Sequence, residues 1–534
     1  MKVQNPILTG FNPDPSILRV GEDYYIATST FEWFPGVQIH HSKNLKDWEL
    51  ICHPLTRVSQ LDMGGVMNSG GIWAPCLSWD GEQFYLIYTN VLTNGGVFMD
   101  PENYLVTAPD IMGPWSDPVF LNASGFDPSL YHDGDGKKWL VNMRYDYRSN
   151  NKFSGIVLQE YSAEEKKLIG KPQLITKGTK TGTTEGPHLY KKDGWYYLML
   201  AEGGTGYEHA MTMQRSRCIE GPYEDSPYNP VITSAGHEEL VIQKAGHASL
   251  TDTVNGEWYI VHLCGRPVGA GRSCILGRET ALQKVVWTQD GWLRLDSGKH
   301  TPEEYAEIED APSVPVSKDM KEDFDKNNWS IHLNSLRRPL GKLASLTERP
   351  GYLRLYGGDS LQSKYSQSML ARRQQAFYTE TVTKIDFQPE SFQQLAGLVY
   401  YYDTISFYYC HITRDEEKGR VLNVMASVLD QKFFPIGHGI GIPEEGEIWL
   451  KLKTMKETAQ FYYSLDGKHY EEAGPVLDAS ALSDDYYQKI GEWRFTGAFV
   501  GICCQDLDRK TAHADFDFLY YTENEKEKES DQHE

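Results

Sequence analysis

The chain has 534 residues, and 74 acidic against 52 basic side chains give it a formal net charge of −22. A surface of that sign repels phosphate backbones, which excludes nucleic acid as a partner. No apolar run approaches the roughly 20 residues that span a bilayer, which excludes a membrane helix.

The opening MKVQNPILTG has no apolar core and no small-residue cleavage site, so no signal peptide is expected. Eight cysteines (52, 76, 218, 264, 274, 410, 503 and 504) include no C-x-x-C pair. Reduced thiols and a cytoplasmic location are the expectation. Thirty-three tyrosines, 13 tryptophans and 48 glycines point to an all-β chain, because aromatics suit pleated surfaces and glycines suit tight turns.

The first 305 residues repeat one pattern. NPDPSILRVGEDYYIAT is followed by GIWAPCLSWDGEQFYLIYTN, GFDPSLYHDGDGKKWLVN, TEGPHLYKKDGWYYLML and AGHASLTDTVNGEWYIVH. Each unit has an apolar anchor, then a glycine-containing turn, then an aromatic-rich run. The anchors Ile17, Leu77, Leu130, Leu189 and Leu250 are spaced by 60, 53, 59 and 61 residues. Turns such as Asp80-Gly81, Asp193-Gly194 and Asn255-Gly256 favour positive φ and tight hairpins, so each unit opens as strand, turn, strand. A period near 58 suits a four-stranded blade, which predicts a five-bladed β-propeller over residues 1–305.

Residues 306–320, AEIEDAPSVPVSKDM, read as a linker. Beyond them GYLRLYG, ETVTKIDFQ and EIWLKLKTMKETAQFYYSLDG alternate apolar with polar residues, which predicts a jelly-roll-like β-sandwich over 321–522. Residues 523–534 contain ENEKEKESDQHE and are expected to be a disordered tail.

In a propeller the innermost strands start at one mouth of the axial channel, so equivalent positions converge there. Three before the anchors stand Asp14, Ala74, Asp127, Gly186 and His247; one further back stand Pro13, Trp73, Phe126, Glu185 and Gly246. Burying three carboxylates together is costly unless they are used or well paired. Such a group separates protonation states, which glycoside hydrolysis requires: one carboxylate ionised as base, one protonated as acid. Asp14, stiffened by flanking prolines, is the candidate base. Glu185, with the longer side chain, is the candidate acid, and Asp127 would tune it. An Asp-Pro pair alone is as readily a turn or a strand entry. Trp73 at the mouth would be a sugar-stacking platform. Arg278 in CILGRETALQK would balance the acids, unless it pairs on the surface with Glu279, and Arg266 and Arg272 compete with it. Glu208-His209 is not placed by the repeat.

The segments FNPDPSI, STFEWFPGVQIHHS, RVSQLDM, SGGIWAPCL, SGFDPSL, TEGPHLY, AEGGTGYEHA, GHASL and LGRETALQK run the length of the propeller, and ESFQQLAGLVYYY and FTGAFVGICCQD lie beyond it. Together they resemble glycoside hydrolase family 43, specifically its β-xylosidases. The resemblance implies an inverting exo-hydrolase that releases xylose from non-reducing ends of β-1,4-xylo-oligosaccharides. It implies Asp14 as general base, Glu185 as general acid, Asp127 as modulator of the acid, and Arg278 as a substrate-binding residue. It also implies that Phe31, Trp73, Phe126 and Thr205 shape the pocket, and that an aromatic of the sandwich closes its mouth. Phe495 in GEWRFTG is the choice, with Trp493 and Phe499 competing. His247 matches a histidine that in some relatives faces a calcium ion or water in the channel. That makes it a substrate-binding residue or a metal contact, and no other cofactor is implied. A homo-oligomer, dimer or tetramer, is implied as well. RPVGAGRSCILGRET, residues 266–280, looks shorter than the family's loop, which leaves the leaving-group subsite open.

Three other functions compete with this reading. α-L-Arabinofuranosidase activity is a frequent second activity of the family. A retaining fructan-type hydrolase would need an Arg-Asp-Pro motif of a kind absent here. A non-catalytic sugar-binding propeller has no use for the full carboxylate set.

Overall fold

The computed structural model describes residues 1–524. The expected tail therefore lies outside the described residues, except that Glu523 ends the strand His513–Glu523 and Asn524 N donates to Tyr378 O at 3.0 Å. No helix among the described residues is long and apolar enough to cross a membrane.

The chain divides into two compact units, residues 1–266 with 278–316, and residues 267–277 with 317 onward. The first contains five antiparallel sheets in sequence order. Blade 1 is Ser16–Val20, Asp23–Thr28, Gln38–Ser42 and Glu49–Cys52. Blades 2 to 5 open with Gly71–Trp79, Ser129–His132, Glu185–Lys192 and Gln243–Asp252. Each opening strand pairs with the next across the predicted turn, as Val20 with Asp23, Trp79 with Phe84 and Lys192 with Trp195. All five anchors are buried.

Side chains of the opening strands join one blade to the next. Ser16 Oγ accepts from Leu77 N (3.1 Å), His132 Nε2 meets Ser78 Oγ (2.9 Å) and Ser129 Oγ donates to Pro187 O (2.6 Å). Tyr190 OH accepts from Leu250 N (2.8 Å), and Ser249 Oγ accepts from Ile17 N (3.1 Å). Every seam of the ring thus has a bond that neither blade could make alone. Lys2–Gln4 pairs with Tyr305–Glu307, and the N-terminal amine donates to Ile308 O at 2.7 Å.

The linker expected over 306–320 is shorter in the structure. Its start belongs to that closing strand, its middle stays on the first unit, where Asn44 Nδ2 donates to Pro312 O (2.9 Å) and Val314 N to Asp47 Oδ2 (3.0 Å), and its last residue opens the strand Met320–Glu322. The boundary at 305 also omits an excursion, because residues 267–277 belong to the second unit. There Ile275 joins the hydrophobic core, Ile275 O accepts from Ala498 N (3.1 Å), and Cys274 N donates to Asp485 Oδ2 (2.8 Å).

The second unit has two antiparallel sheets. One is built around Tyr378–Phe387, flanked by Ile448–Met455 and His513–Glu523; the other is built around Gln394–Asp403, flanked by Phe499–Asp506 and Ser406–Asp415. Their apolar faces share one core that includes Leu398, Tyr400, Leu450, Ile502 and Phe516.

Candidate active site

The column read from the repeat has a common backbone. Asp14, Ala74, Asp127, Gly186 and His247 all take positive φ, at 53, 35, 54, 54 and 44°. Ladder registers shift in blades 2, 4 and 5 between Trp73 and Cys76, Glu185 and His188, and Gly246 and Ala248, so the column sits on bulges there. A bulge re-aims a side chain and bends the strand, and the left-handed conformation is tolerated best by glycine, then by Asp, Asn and His. Four of the five positions meet that preference. Ala74 is the exception, and its N–H is held by Ser29 Oγ at 2.7 Å. At Gly186 an added Cβ would lie 2.9 Å from Ala201 Cβ and 3.2 Å from the His247 ring.

Asp14, Asp127, His247 and Arg278 are all buried. Arg278 Nη1 donates to Asp14 Oδ1 (3.2 Å) and to Thr205 Oγ1 (3.0 Å). Ser29 Oγ donates to Asp14 Oδ2 (2.7 Å), and His247 Nδ1 lies 3.8 Å from Asp14 Oδ1. Asp127 Oδ2 accepts from Gly186 N at 3.0 Å, which ties it to the residue after Glu185.

The surface alternative for Arg278 does not hold. Glu279 pairs instead with Arg266, Nε to Oε2 at 2.7 Å and Nη2 to Oε1 at 2.8 Å, and also accepts from Gly10 N (2.8 Å). Arg278 lies in a bend just before the strand Glu279–Trp287, and the two neighbouring side chains meet different partners.

Burial, and then the charges of Asp127 and Asp14, push Glu185 well above the ordinary glutamate range, with Arg278 opposing. Burial and the Asp14 charge push Asp127 up to about 8, against the pull of Gly186 N–H and Arg278. One carboxylate paired with a guanidinium, beside a pair that retains a proton, provides both states needed for acid–base chemistry.

Aromatic rings form a wall beside these groups. Phe11 and Phe31 stand 5.6 Å apart by centroid, Phe31 and Trp73 5.8 Å, and Trp73 and Phe126 5.3 Å. The Arg278 guanidinium sits over Phe31 at 5.2 Å. Trp73 Nε1 donates to Ser69 O (3.0 Å), and Ser69 N in turn donates to the buried Glu32.

Phe495 belongs to the second unit, half-buried, with its ring 6.5 Å from that of the exposed Trp493; Phe499 is buried in the sandwich strand Phe499–Asp506. His209 is buried, with Nδ1 bonded to Lys244 O at 3.0 Å, whereas Glu208 is exposed. Burial lowers His247, and takes His188 and His209 to about 3, so all three imidazoles are neutral at pH 7. Calcium takes six to eight oxygen ligands. The His247 ring instead faces the His188 ring at 6.5 Å and an Asp14 oxygen engaged by Arg278. Among the described residues no three His, Cys, Asp or Glu side chains are grouped for a metal. This donor set does not fit a calcium ion held by side chains.

Ser29 and Glu202 escaped the sequence. Glu202 is fully buried and accepts from Thr179 N (2.8 Å) and Thr184 Oγ1 (2.7 Å). Neither residue stands in the repeat column, and a serine or glutamate at a strand end gives no local signal.

Sequence profiles match both parts of the chain: glycosyl hydrolases family 43 over residues 3–293, and the beta-xylosidase C-terminal concanavalin A-like domain over 321–522. The chain is 48% identical to a xylosidase/arabinosidase 43B of Humicola insolens, over 97% of each chain. It is 48% identical to a beta-xylosidase of Bacillus subtilis, over 98% of this chain and all of that one. The crystal structure of a xylan beta-1,4-xylosidase from Bacillus halodurans superposes with a TM-score of 0.95 at 55% identity, covering 98% of this chain and all of that one.

Proposed function

We propose, from the premise that this chain belongs to glycosyl hydrolase family 43, that it removes single xylose units from non-reducing ends of β-1,4-xylo-oligosaccharides with inversion. The observation that carries this is the convergence of Asp14 and Asp127 in one repeat column, with Glu185 one position behind it and Arg278 bonded to Asp14.

Asp14 accepts a proton from water as the water oxygen bonds to the anomeric carbon. The bond from that carbon to the glycosidic oxygen breaks, and Glu185 gives its proton to the departing oxygen. The products are α-xylose and an oligosaccharide shorter by one unit. Proton exchange with solvent then restores Asp14 as carboxylate and Glu185 as acid. Asp127 keeps Glu185 protonated through the repulsion of a nearby like charge. Arg278 and Thr205 bind sugar hydroxyls, and Phe31, Trp73 and Phe126 form the apolar wall against which the ring packs. No step uses a metal.

The enzyme works as a cytoplasmic homo-oligomer on short oligosaccharides. All eight cysteines are unbridged and seven are buried, which suits a reducing compartment. Analytical ultracentrifugation of the purified protein measures the assembly.

Proton NMR of protein with xylobiose tests the reaction. Early release of α-xylose is expected. Early β-xylose would mean retention and would make Asp14 a nucleophile. No cleavage would move the assignment to α-L-arabinofuranosides, the second reading, favoured by the 48%-identical relative named for both activities.

A further inference from the structure

The loop that delivers Glu185 is held in an unfavourable conformation by a residue outside the repeat column. Thr183, two positions before Glu185, takes φ 52°. A β-branched residue there is a genuine outlier, and such strain persists only where surrounding structure over-determines it.

The buried carboxyl of Glu202 gathers four hydrogen bonds from that loop and its neighbour. They come from Thr179 N (2.8 Å), Thr179 Oγ1, Thr184 Oγ1 (2.7 Å) and Thr212 Oγ1 (2.9 Å). The next residue, Gly203, donates from N to Gly182 O at 2.8 Å. Gly178 takes φ 85°, and a Cβ there would stand 1.8 Å from Thr184 Oγ1 and 2.4 Å from Glu202 Oε1, so backbone approaches the carboxyl as closely as chemistry allows. Glu202 lies directly after Ala201, the cross-strand partner of Glu185. One side chain therefore pins both sides of the strained residue and the strand that Glu185 enters.

We infer that Glu202 is a positioning residue that aims Glu185 at the glycosidic oxygen by tying down Thr179 and Thr184. The inference rests on Glu185 being the general acid. Proton donation matters most when the leaving group is a poor one, so a misplaced acid leaves a kinetic signature that loss of stability alone does not.

The test compares kcat/KM on xylobiose with kcat/KM on 2,4-dinitrophenyl β-xyloside, whose leaving group needs little protonation. Glu202→Ala is expected to lose at least about tenfold more on xylobiose than on the activated substrate. Glu202→Gln is expected to restore most of that loss. Its amide oxygen can still accept from Thr179 N and Thr184 Oγ1, while the threonine hydroxyls on the other side turn to accept. Thr184→Val removes one bond of the four and is expected to show the same selectivity, smaller, in a variant that keeps the Glu202 carboxyl. Equal losses on both substrates in Glu202→Ala and Thr184→Val, with only a lower Tm, would overturn the inference. Glu185→Ala run alongside separates the two ideas: if it lacks the selectivity, the acid assignment fails regardless of Glu202.

Discussion

Arg278 Nη1 donates to Asp14 Oδ1 at 3.2 Å across 264 positions of sequence, and the same nitrogen donates to Thr205 Oγ1 at 3.0 Å. Blade 5 thereby places the positive charge beside the carboxylate of blade 1, and the planar guanidinium fixes direction as well as charge. Arg278→Lys keeps the charge and loses the fork. Steady-state kinetics should show a fall in kcat/KM on the order of 10²-fold, the cost of misplacing a reacting group by about an ångström. An Arg278→Lys enzyme with wild-type kinetics would remove Arg278 from the site.

The two catalytic carboxyls should be distinguishable by leaving group. Asp14→Ala and Glu185→Ala should each lower turnover of xylobiose by at least about 10²–10⁴-fold, the span of acid–base contributions. On an activated aryl xyloside, Glu185→Ala should recover much of its rate and Asp14→Ala should not, because the attacking water still needs a base. Equal, mild losses in both variants would refute the assignment of roles.

Asp127 should set the alkaline limb of the pH profile. Burial and the Asp14 charge push it up to about 8, and its own charge raises Glu185. Asp127→Asn removes that charge, lowers the acid's pKa and should move the alkaline limb of kcat to lower pH. The stability effect has the opposite sense. A carboxyl whose folded pKa is raised binds a proton that the unfolded chain has released, so the wild type loses stability as pH rises from about 4 to about 8. Thermal melts should show Asp127→Asn gaining Tm relative to wild type across that window. A gain that is independent of pH would contradict this.

Arg266 should matter for stability and not for chemistry. Glu279 is fully buried, and Arg266 engages both its oxygens. Removing one partner of a buried ion pair costs about 3–5 kcal/mol, because the other charge is left without compensation. Urea unfolding of Arg266→Met should show a loss of that order, with the folded variant keeping its KM.

Thiol titration should count one reactive cysteine per native chain. Cys218 is exposed and the other seven are buried. Burial pushes Cys52 and Cys503 up to about 12, which suppresses the thiolate that reacts. A disulfide reagent should label Cys218 at once and all eight only after denaturation, and Cys218→Ser should abolish the fast phase.

What was legible in the chain was whatever local chemistry writes into it. Asp-Gly and Asn-Gly turns, alternating strands and a period near 58 residues are short-range signals, so the five blades could be read, and with them the column of Asp14, Asp127 and His247 and, one position behind it, Glu185. Partnership could not be read, because it depends on which strands meet when the ring closes. Arg278, in the bend before the strand Glu279–Trp287, pairs with Asp14 rather than with its neighbour Glu279, and Arg266 takes Glu279. The placement of residues 267–277 with the second unit follows from Ile275 entering a core assembled almost wholly from residues beyond 317. The positive φ of Thr183 and its support by Glu202 belong to the same class: a strained turn is stable only through contacts made after the strands around it have formed.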